Sequence, residues 1–225
     1  MTLADQGWRV IAPQLRGFDG GTNDPLTTSM DDYAADVIDL LDTLHVEDAV
    51  IGGLSMGGYV TFAMLRHAPR YFRALVLADT RAEADPPVAV QGRETMMALA
   101  REKGAAAVAD ELMPKLLGAS SQARADVVER VRGLIVPNSV TSITGALTAL
   151  MTRQDATPLL PTIHVPTLII VGEEDTLTPP PFSETMHRAI GGSALVTIPR
   201  AGHMSNLEQP SAFNSALAHF LEHRV

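Results

Sequence analysis

Short apolar runs separated by amphipathic stretches recur along this chain. The runs are rich in β-branched residues, are bounded by Gly, Pro or Asp, and occupy residues 9–13, 48–53, 74–79, 167–172 and 194–199. Each run is too short for a buried helix, and near-continuous apolar strands are typical of a parallel sheet that is covered on both faces. We therefore predict five strands of a mostly parallel sheet.

Stretches with helical spacing lie between these runs. Residues 29–46 begin with Ser29, an N-cap candidate, followed by acidic residues that suit the positive end of the helix dipole. Further helices are predicted at 56–68, 181–190 and 210–224. The alternation of strands and helices predicts the α/β fold class, a mostly parallel sheet with helices on both faces.

Residues 82–161 interrupt the alternation because they contain no strand pattern. Helical stretches rich in Ala, Leu and Met occupy 88–104, 105–117, 122–136 and 140–151. We interpret residues 82–161 as a helical lid inserted into an α/β core made of residues 1–81 and 162–225. The alternative is that these helices are an ordinary layer of the core.

The amino-acid composition limits the kinds of molecule that this protein is expected to bind. The chain has 225 residues, 46% of them hydrophobic, which is enough for one sizeable core. Its net charge of −9 disfavours nucleic acid and anionic membranes as partners. It has no Cys, hence no disulfide or thiol nucleophile, and neither a signal-peptide pattern nor a membrane-spanning run. We predict a cytoplasmic protein, and leave a homo-oligomer open.

The stretch VIGGLSMGGYV, residues 50–60, contains the pattern G-x-S-x-G at Gly53, Ser55 and Gly57. It follows a predicted strand and precedes a predicted helix, which is the context in which this pattern forms a nucleophile elbow. The sharp turn strains the serine backbone, so small residues are expected at 53 and 57 to avoid clashes. The turn also directs the backbone N–H of Met56 to where an oxyanion would develop.

A serine hydroxyl is a weak nucleophile until a base accepts its proton, and a third group must orient that base. In this architecture the chain order is serine, acid, histidine. Asp175 follows the fourth predicted strand and His203 lies in the loop after the fifth, so order and context agree. Three other acidic residues are alternatives for the acid: Glu173, Glu174 and Asp79.

The motifs GLSMGG, GEEDTLTPP and AGHMSNLEQP together resemble those of the α/β-hydrolase fold superfamily, over the whole chain. Within it, LVLADTRAEAD and the lid pattern are most similar to 3-oxoadipate enol-lactonases and small-ester hydrolases. The resemblance implies a serine hydrolase that needs no cofactor or metal and cleaves a small ester or enol-lactone through an acyl-enzyme on Ser55. C–C bond hydrolysis and perhydrolysis are alternatives. Arg153 is a candidate for binding a substrate carboxylate, with a structural salt bridge as the alternative.

The segment RVIAPQLRGFDGGT resembles a strand and loop of the superfamily, with Gln14 in place of the usual Asp and an altered Gly-x-Ser at residues 19–21. Members normally have two or three strands before it and a His-Gly loop that supplies a second oxyanion N–H. Without them, strand 9–13 would lack its usual neighbours. An upstream start, direct pairing with 48–53, or a partner chain would each resolve this, and an impaired or non-catalytic protein is a further alternative.

Overall fold

The computed structural model describes residues 3–18 and 29–225. Its described part contains one sheet of four parallel strands in the order β1-β2-β3-β4. The strands are β1 (Ala49–Leu54), β2 (Phe72–Ala78), β3 (Thr167–Gly172) and β4 (Ala194–Ile198). The α/β fold class and four of the five predicted strands are confirmed. Because the strands are parallel, their carboxyl ends meet at one edge of the sheet.

Eight helices surround this sheet in the described residues, several within a residue or two of their predicted bounds. They are α1 (Met30–Thr43), α2 (Met56–His67), α3 (Pro87–Leu116), α4 (Ala125–Ile135), α5 (Val140–Thr152), α6 (Pro180–Ala189), α7 (Ser205–Glu208) and α8 (Pro210–Arg224). The Ser29 cap of α1 is confirmed, because the Asp32 amide donates to Ser29 Oγ at 3.2 Å and the Ser29 amide donates to Asp32 Oδ2 at 3.1 Å.

Alternate residues of β2 face opposite sides of the sheet, as the pleat requires. Leu75 and Leu77 pack in a buried cluster with side chains of α1, α2 and α6. Ala74 and Val76 pack in a second cluster with side chains of α8. Both faces of the strand are therefore covered by helices, which explains the near-continuous apolar sequence.

Residues 9–13, the first of the five predicted strands, form no strand, so that prediction is wrong. Val10 is 58% exposed, while Ile11 packs against the cluster of α1, α2 and α6. β1 pairs with β2 alone in the described part of the chain, so the alternative pairing with 48–53 does not occur there. An apolar run becomes a strand only where a neighbour accepts and donates its backbone hydrogen bonds, and no strand of residues 3–18 and 29–225 does so for this run.

The helices between β2 and β3 pack on one another. Ala100, Val108 and Ile143 form a small buried cluster of α3 and α5. Gly104, at φ 76° and ψ −178°, breaks α3 at the boundary predicted between residues 88–104 and 105–117. Whether residues 82–161 act as a lid stays a prediction.

The described helices differ in length and in apolar content. None of them is by itself both long and apolar enough to cross a bilayer. The helices α4 and α5 reach that length and composition only when taken together, and they are bent by 92° to each other.

Candidate active site

Ser55 occupies the sharp turn between β1 and α2. Its backbone has φ 51° and ψ −114°, a conformation that is costly for a residue with a side chain. The Ser55 amide donates to the Ala78 carbonyl at 2.9 Å, and the Ser55 carbonyl accepts from the Gly58 amide and from Thr80 Oγ1, each at 2.9 Å. These contacts hold the strained residue in place at the carboxyl edge of the sheet.

The glycines around Ser55 differ in what they allow. A Cβ on Gly53 would lie 2.1 Å from the backbone of Gly57, so only glycine fits at position 53. A Cβ on Gly58 would lie 2.5 Å from Thr80 Oγ1. A Cβ on Gly57 would meet nothing within 4 Å, so the clash predicted at position 57 is not seen for a methyl group. The close contact between Gly58 and the Thr80 side chain was not predicted from the sequence.

Ser55, His203 and Asp175 form a continuous chain of hydrogen bonds. Ser55 Oγ lies 2.7 Å from His203 Nε2, and His203 Nδ1 lies 2.8 Å from Asp175 Oδ2. An ionised carboxylate only accepts, so Nδ1 carries the hydrogen and Nε2 accepts from the serine hydroxyl. His203 and Asp175 are each 3% exposed. The structure thus brings together the three residues predicted from chain order.

Asp175 is surrounded by donors of its own turn. Its Oδ1 accepts from the amides of Leu177 at 2.8 Å and Thr178 at 3.0 Å, and its Oδ2 accepts from Thr178 Oγ1 at 2.7 Å. Burial opposes ionisation, but the hydrogen bond and charge of His203 together with the Thr178 donors lower the Asp175 pKa below its usual value. Sequence reasoning missed Thr178, although an Asp followed by a Thr three residues later is a signal for such a turn.

The two neighbouring glutamates are used elsewhere. Glu173 accepts from the Arg200 amide at 3.1 Å. Glu174 accepts from the Ser120 amide at 2.9 Å and also from the Ser120 hydroxyl. His203 therefore takes its carboxylate partner from Asp175, which is the geometry that a general base needs.

The third alternative, Asp79, lies one strand away. It directly follows β2, is 0% exposed, and accepts from the Gly172 amide at 2.8 Å and from the Ser205 hydroxyl. Burial raises the Asp79 pKa to about 7, although both hydrogen bonds and the charge of His203 act in the opposite direction. Asp79 thus joins the ends of β2 and β3 to the start of α7 and makes no bond to the histidine ring.

Met56 and Arg153 have different surroundings. Met56 begins α2, so no carbonyl of its own helix is available to its amide, which stays a candidate oxyanion donor. The Arg153 side chain is 2% exposed, and its guanidinium lies 2.8 Å from Asp85 Oδ1 and stacks 4.2 Å from the ring centroid of Tyr59. It also donates to the Glu83 carbonyl at 2.9 Å. These contacts favour the structural salt bridge over a substrate contact.

Side chains that could bind a metal ion occur throughout residues 3–18 and 29–225. No group of three or more His, Cys, Asp or Glu side chains there is placed to hold a metal ion. The chemistry that the described arrangement offers is a hydroxyl beside a base whose orientation is set by a carboxylate.

Comparison with known proteins shows the family. A family model for the alpha/beta hydrolase fold matches residues 2–210. The chain therefore belongs to the α/β-hydrolase family, which confirms the superfamily resemblance.

The similar proteins include esterases and enol-lactonases. The chain is 29% identical over 209 residues to 3-oxoadipate enol-lactonase 2 of Acinetobacter baylyi, covering 92% of this chain and 76% of the relative. Among solved structures, an esterase from Thermogutta terrifontis is 36% identical with a TM-score of 0.88, covering 93% of this chain and 78% of that one. The enol-lactonase of Burkholderia xenovorans is 27% identical with a TM-score of 0.83, covering 92% and 78%.

Proposed function

We propose that this protein is a serine hydrolase that cleaves a small carboxylic ester or enol-lactone through an acyl-enzyme on Ser55. The observation that carries the proposal is the hydrogen-bonded chain from Ser55 through His203 to Asp175, which begins on a strained turn. Similarity to proteins named esterases and enol-lactonases supports a hydrolase of ester bonds.

The geometry suits a two-step reaction. Ser55 Oγ attacks the ester carbonyl while His203 Nε2 accepts the hydroxyl proton, and Asp175 stabilises the resulting imidazolium. The Met56 N–H stabilises the negative charge that develops on the carbonyl oxygen. His203 then gives the proton to the leaving alkoxide or enolate, and the carbon–oxygen bond breaks. Water, deprotonated by His203, attacks the acyl group in the second step and releases the acid and Ser55.

Residues 82–161 are the proposed lid over this site. The support is that the middle of this segment meets the loop that carries His203, because Leu117 packs in one cluster with Met204 and Leu207. In that position the helices would shape the acyl or lactone pocket and limit the access of water. A small ester or lactone is the substrate that we propose for this site.

The decisive test is labelling with a fluorophosphonate probe, read by intact mass. We expect one adduct on the wild-type chain and none on Ser55→Ala. The matched control is Ser193→Ala, because Ser193 Oγ also lies 2.8 Å from a histidine nitrogen, His187 Nδ1. Unlike Ser55, Ser193 does not have a positive φ. An adduct that survives in Ser55→Ala, or a folded wild-type chain that takes no label, would overturn the proposal.

Hydrolysis of short p-nitrophenyl esters and of enol-lactones then identifies the substrate class. We expect turnover by the wild type and by Ser193→Ala, and a loss of about 10⁶-fold in kcat for Ser55→Ala. A wild-type rate on every ester and lactone equal to that of Ser55→Ala would contradict ester hydrolysis.

A further inference from the structure

A buried carboxylate outside the three catalytic residues binds the backbone on both sides of His203. Glu208, the last residue of α7, is 1% exposed. Its Oε1 accepts from the amides of Gly202 at 2.9 Å and Met204 at 3.2 Å, and these two residues flank His203. One oxygen therefore restrains both peptide groups next to the catalytic imidazole.

The second oxygen of the same carboxylate binds the middle of the proposed lid, just after α3. Glu208 Oε2 accepts from the amide of Gly118 at 2.9 Å, in the loop 117–121 that follows α3 and that we term the anchor loop. The Met204 amide also donates to the carbonyl of Leu116 at 3.2 Å. The loop 199–204, which carries His203 and which we term the histidine loop, thus shares with the anchor loop both a carboxylate and a direct backbone hydrogen bond.

The two loops touch without room for side chains. A Cβ on Gly118 would lie 2.8 Å from the Gly202 amide nitrogen, and a Cβ on Gly202 would lie 2.2 Å from the Gly118 amide nitrogen. Both residues are glycine because the backbones approach directly. A shift of the anchor loop would therefore have to move the histidine loop as well.

The anchor loop also contacts the loop of the catalytic acid. Glu174, which directly precedes Asp175, accepts from the amide and hydroxyl of Ser120, and these bonds lower the Glu174 pKa. The Glu174 amide donates to the Ala201 carbonyl at 2.7 Å, which ties the acid loop to the histidine loop. The loop that carries Asp175 and the loop that carries His203 therefore both contact the anchor loop of the helical insertion.

We propose that Glu208 is a positioning residue for His203, and that with Glu174 it makes the anchor loop part of the framework that holds the catalytic residues. The inference rests on the proposed function, since it assigns His203 the role of base. A carboxylate suits this place because its oxygens face three N–H donors and no acceptor. A glutamine side chain has only one acceptor oxygen, so its NH2 group would face at least one of those donors and leave it without a partner.

The test is the substitution Glu208→Gln, which keeps the size of the side chain and removes one acceptor. We expect kcat for a short ester to fall about tenfold to a hundredfold with KM little changed, because the histidine is displaced by a fraction of an ångström. The matched control is Glu129→Gln, which makes the same change of charge at an exposed position of α4. Its kcat and KM should equal those of the wild type.

A readout that does not need activity separates this inference from the proposed function. The His203 Nδ1 proton, which is shared with Asp175 at 2.8 Å, is expected to give a low-field proton resonance that Asp175→Asn abolishes. We expect Glu208→Gln to weaken or broaden this resonance and Glu129→Gln to leave it intact. If the wild type takes no fluorophosphonate label, the proposed function fails while this comparison still reports on Glu208.

Two outcomes would overturn the inference. One is a Glu208→Gln variant that melts at lower temperature but keeps the wild-type kcat and resonance, since Glu208 would then be purely structural. If Glu208→Gln does not fold, the same measurements on Glu174→Gln decide, because that side chain bonds the exposed Ser120. A wild-type kcat and resonance in Glu174→Gln would be the other overturning outcome.

Discussion

The carboxyl ends of β2 and β3 each present a buried aspartate, and the two differ sharply. Asp79 and Asp175 are 0% and 3% exposed. Burial raises the pKa of Asp79 to about 7, whereas the pKa of Asp175 lies below its usual value. Similar solvent exposure therefore does not give the two carboxylates the same pKa. The donors that face each carboxylate, and above all the hydrogen bond between His203 and Asp175, move the two pKa values to opposite sides of the usual value.

The difference arises in the turns after the two strands. The turn after β3 folds back so that the amides of Leu177 and Thr178 point at Asp175. Asp79 instead receives one amide, from Gly172 of the neighbouring strand, and one hydroxyl, from Ser205. The first arrangement stabilises the ionised form of Asp175 next to His203. The second connects β2, β3 and α7 through the Asp79 carboxylate.

The largest expected effect comes from neutralising each aspartate in turn. Asp175→Asn should lower kcat by about 10³- to 10⁴-fold, because the neutral amide no longer fixes the tautomer of His203 or stabilises its charged form. Asp79→Asn should retain a rate within about tenfold of the wild type, since its amide can accept from Gly172 and donate to Ser205. Steady-state hydrolysis of a short ester measures both. Equal losses in the two variants would abolish the distinction between them.

A second test uses the dependence of stability on pH. The folded chain holds the Asp79 proton more tightly than the unfolded chain, so its contribution to the unfolding free energy falls as pH rises from 3.8 to about 7. The change is on the order of a few kcal/mol, at 1.36 kcal/mol per pKa unit. Asp175 has the opposite sign, because its lowered pKa adds stability that is lost as pH falls through the acidic range.

Urea unfolding at pH 5 and pH 8 tests that contrast. We expect the wild type to lose more stability between these two values than Asp79→Asn, in which the titrating group is gone. The surface variant Glu129→Gln serves as control and should follow the wild type. The same loss between pH 5 and pH 8 in Asp79→Asn and in the wild type would show that Asp79 does not carry a raised pKa.

The smallest expected effect concerns the single hydroxyl that each aspartate binds. Thr178→Val removes a donor to Asp175, which should raise the Asp175 pKa and lower kcat about tenfold, as for a hydrogen bond to a charged group. Ser205→Ala removes the donor to Asp79. We expect it to lower the unfolding free energy at pH 8 and to leave kcat close to that of the wild type. Esterase assays beside thermal melts compare the pair. A reversed order of effects on kcat would contradict the roles assigned to the two carboxylates.

Most of the fold and the site could be predicted from the sequence because both leave local patterns. β3 is buried on both faces, so TLIIVG is apolar throughout, and the strained turn at Ser55 requires small neighbours. The choice of Asp175 over Glu174 depended on a turn that spacing alone does not reveal. The RVIAP run at 9–13 has the composition of a strand, but composition does not tell whether a neighbouring strand is present.

Contacts between distant segments were beyond sequence reasoning. Glu208 and Gly118 are 90 residues apart, and nothing local in EQP or LLGAS indicates that they meet. Arg153 and Asp85 form a buried ion pair between the two ends of the helical insertion. Such pairs are set by tertiary packing, and the sequence offered only the residue types. The predicted cytoplasmic location and the lid boundaries at 82 and 161 likewise stay predictions.

The backbone contact between Gly118 and Gly202 also bears on the order of folding. It joins segments far apart in sequence, as does the bond between Ser55 and His203, which are 148 residues apart. Closing such long loops costs entropy that local helices do not incur, so these contacts form late. We therefore expect the catalytic residues to assemble only after the helical insertion has packed against the loop that carries His203. Recovery of activity during refolding is therefore expected to lag behind recovery of helix content.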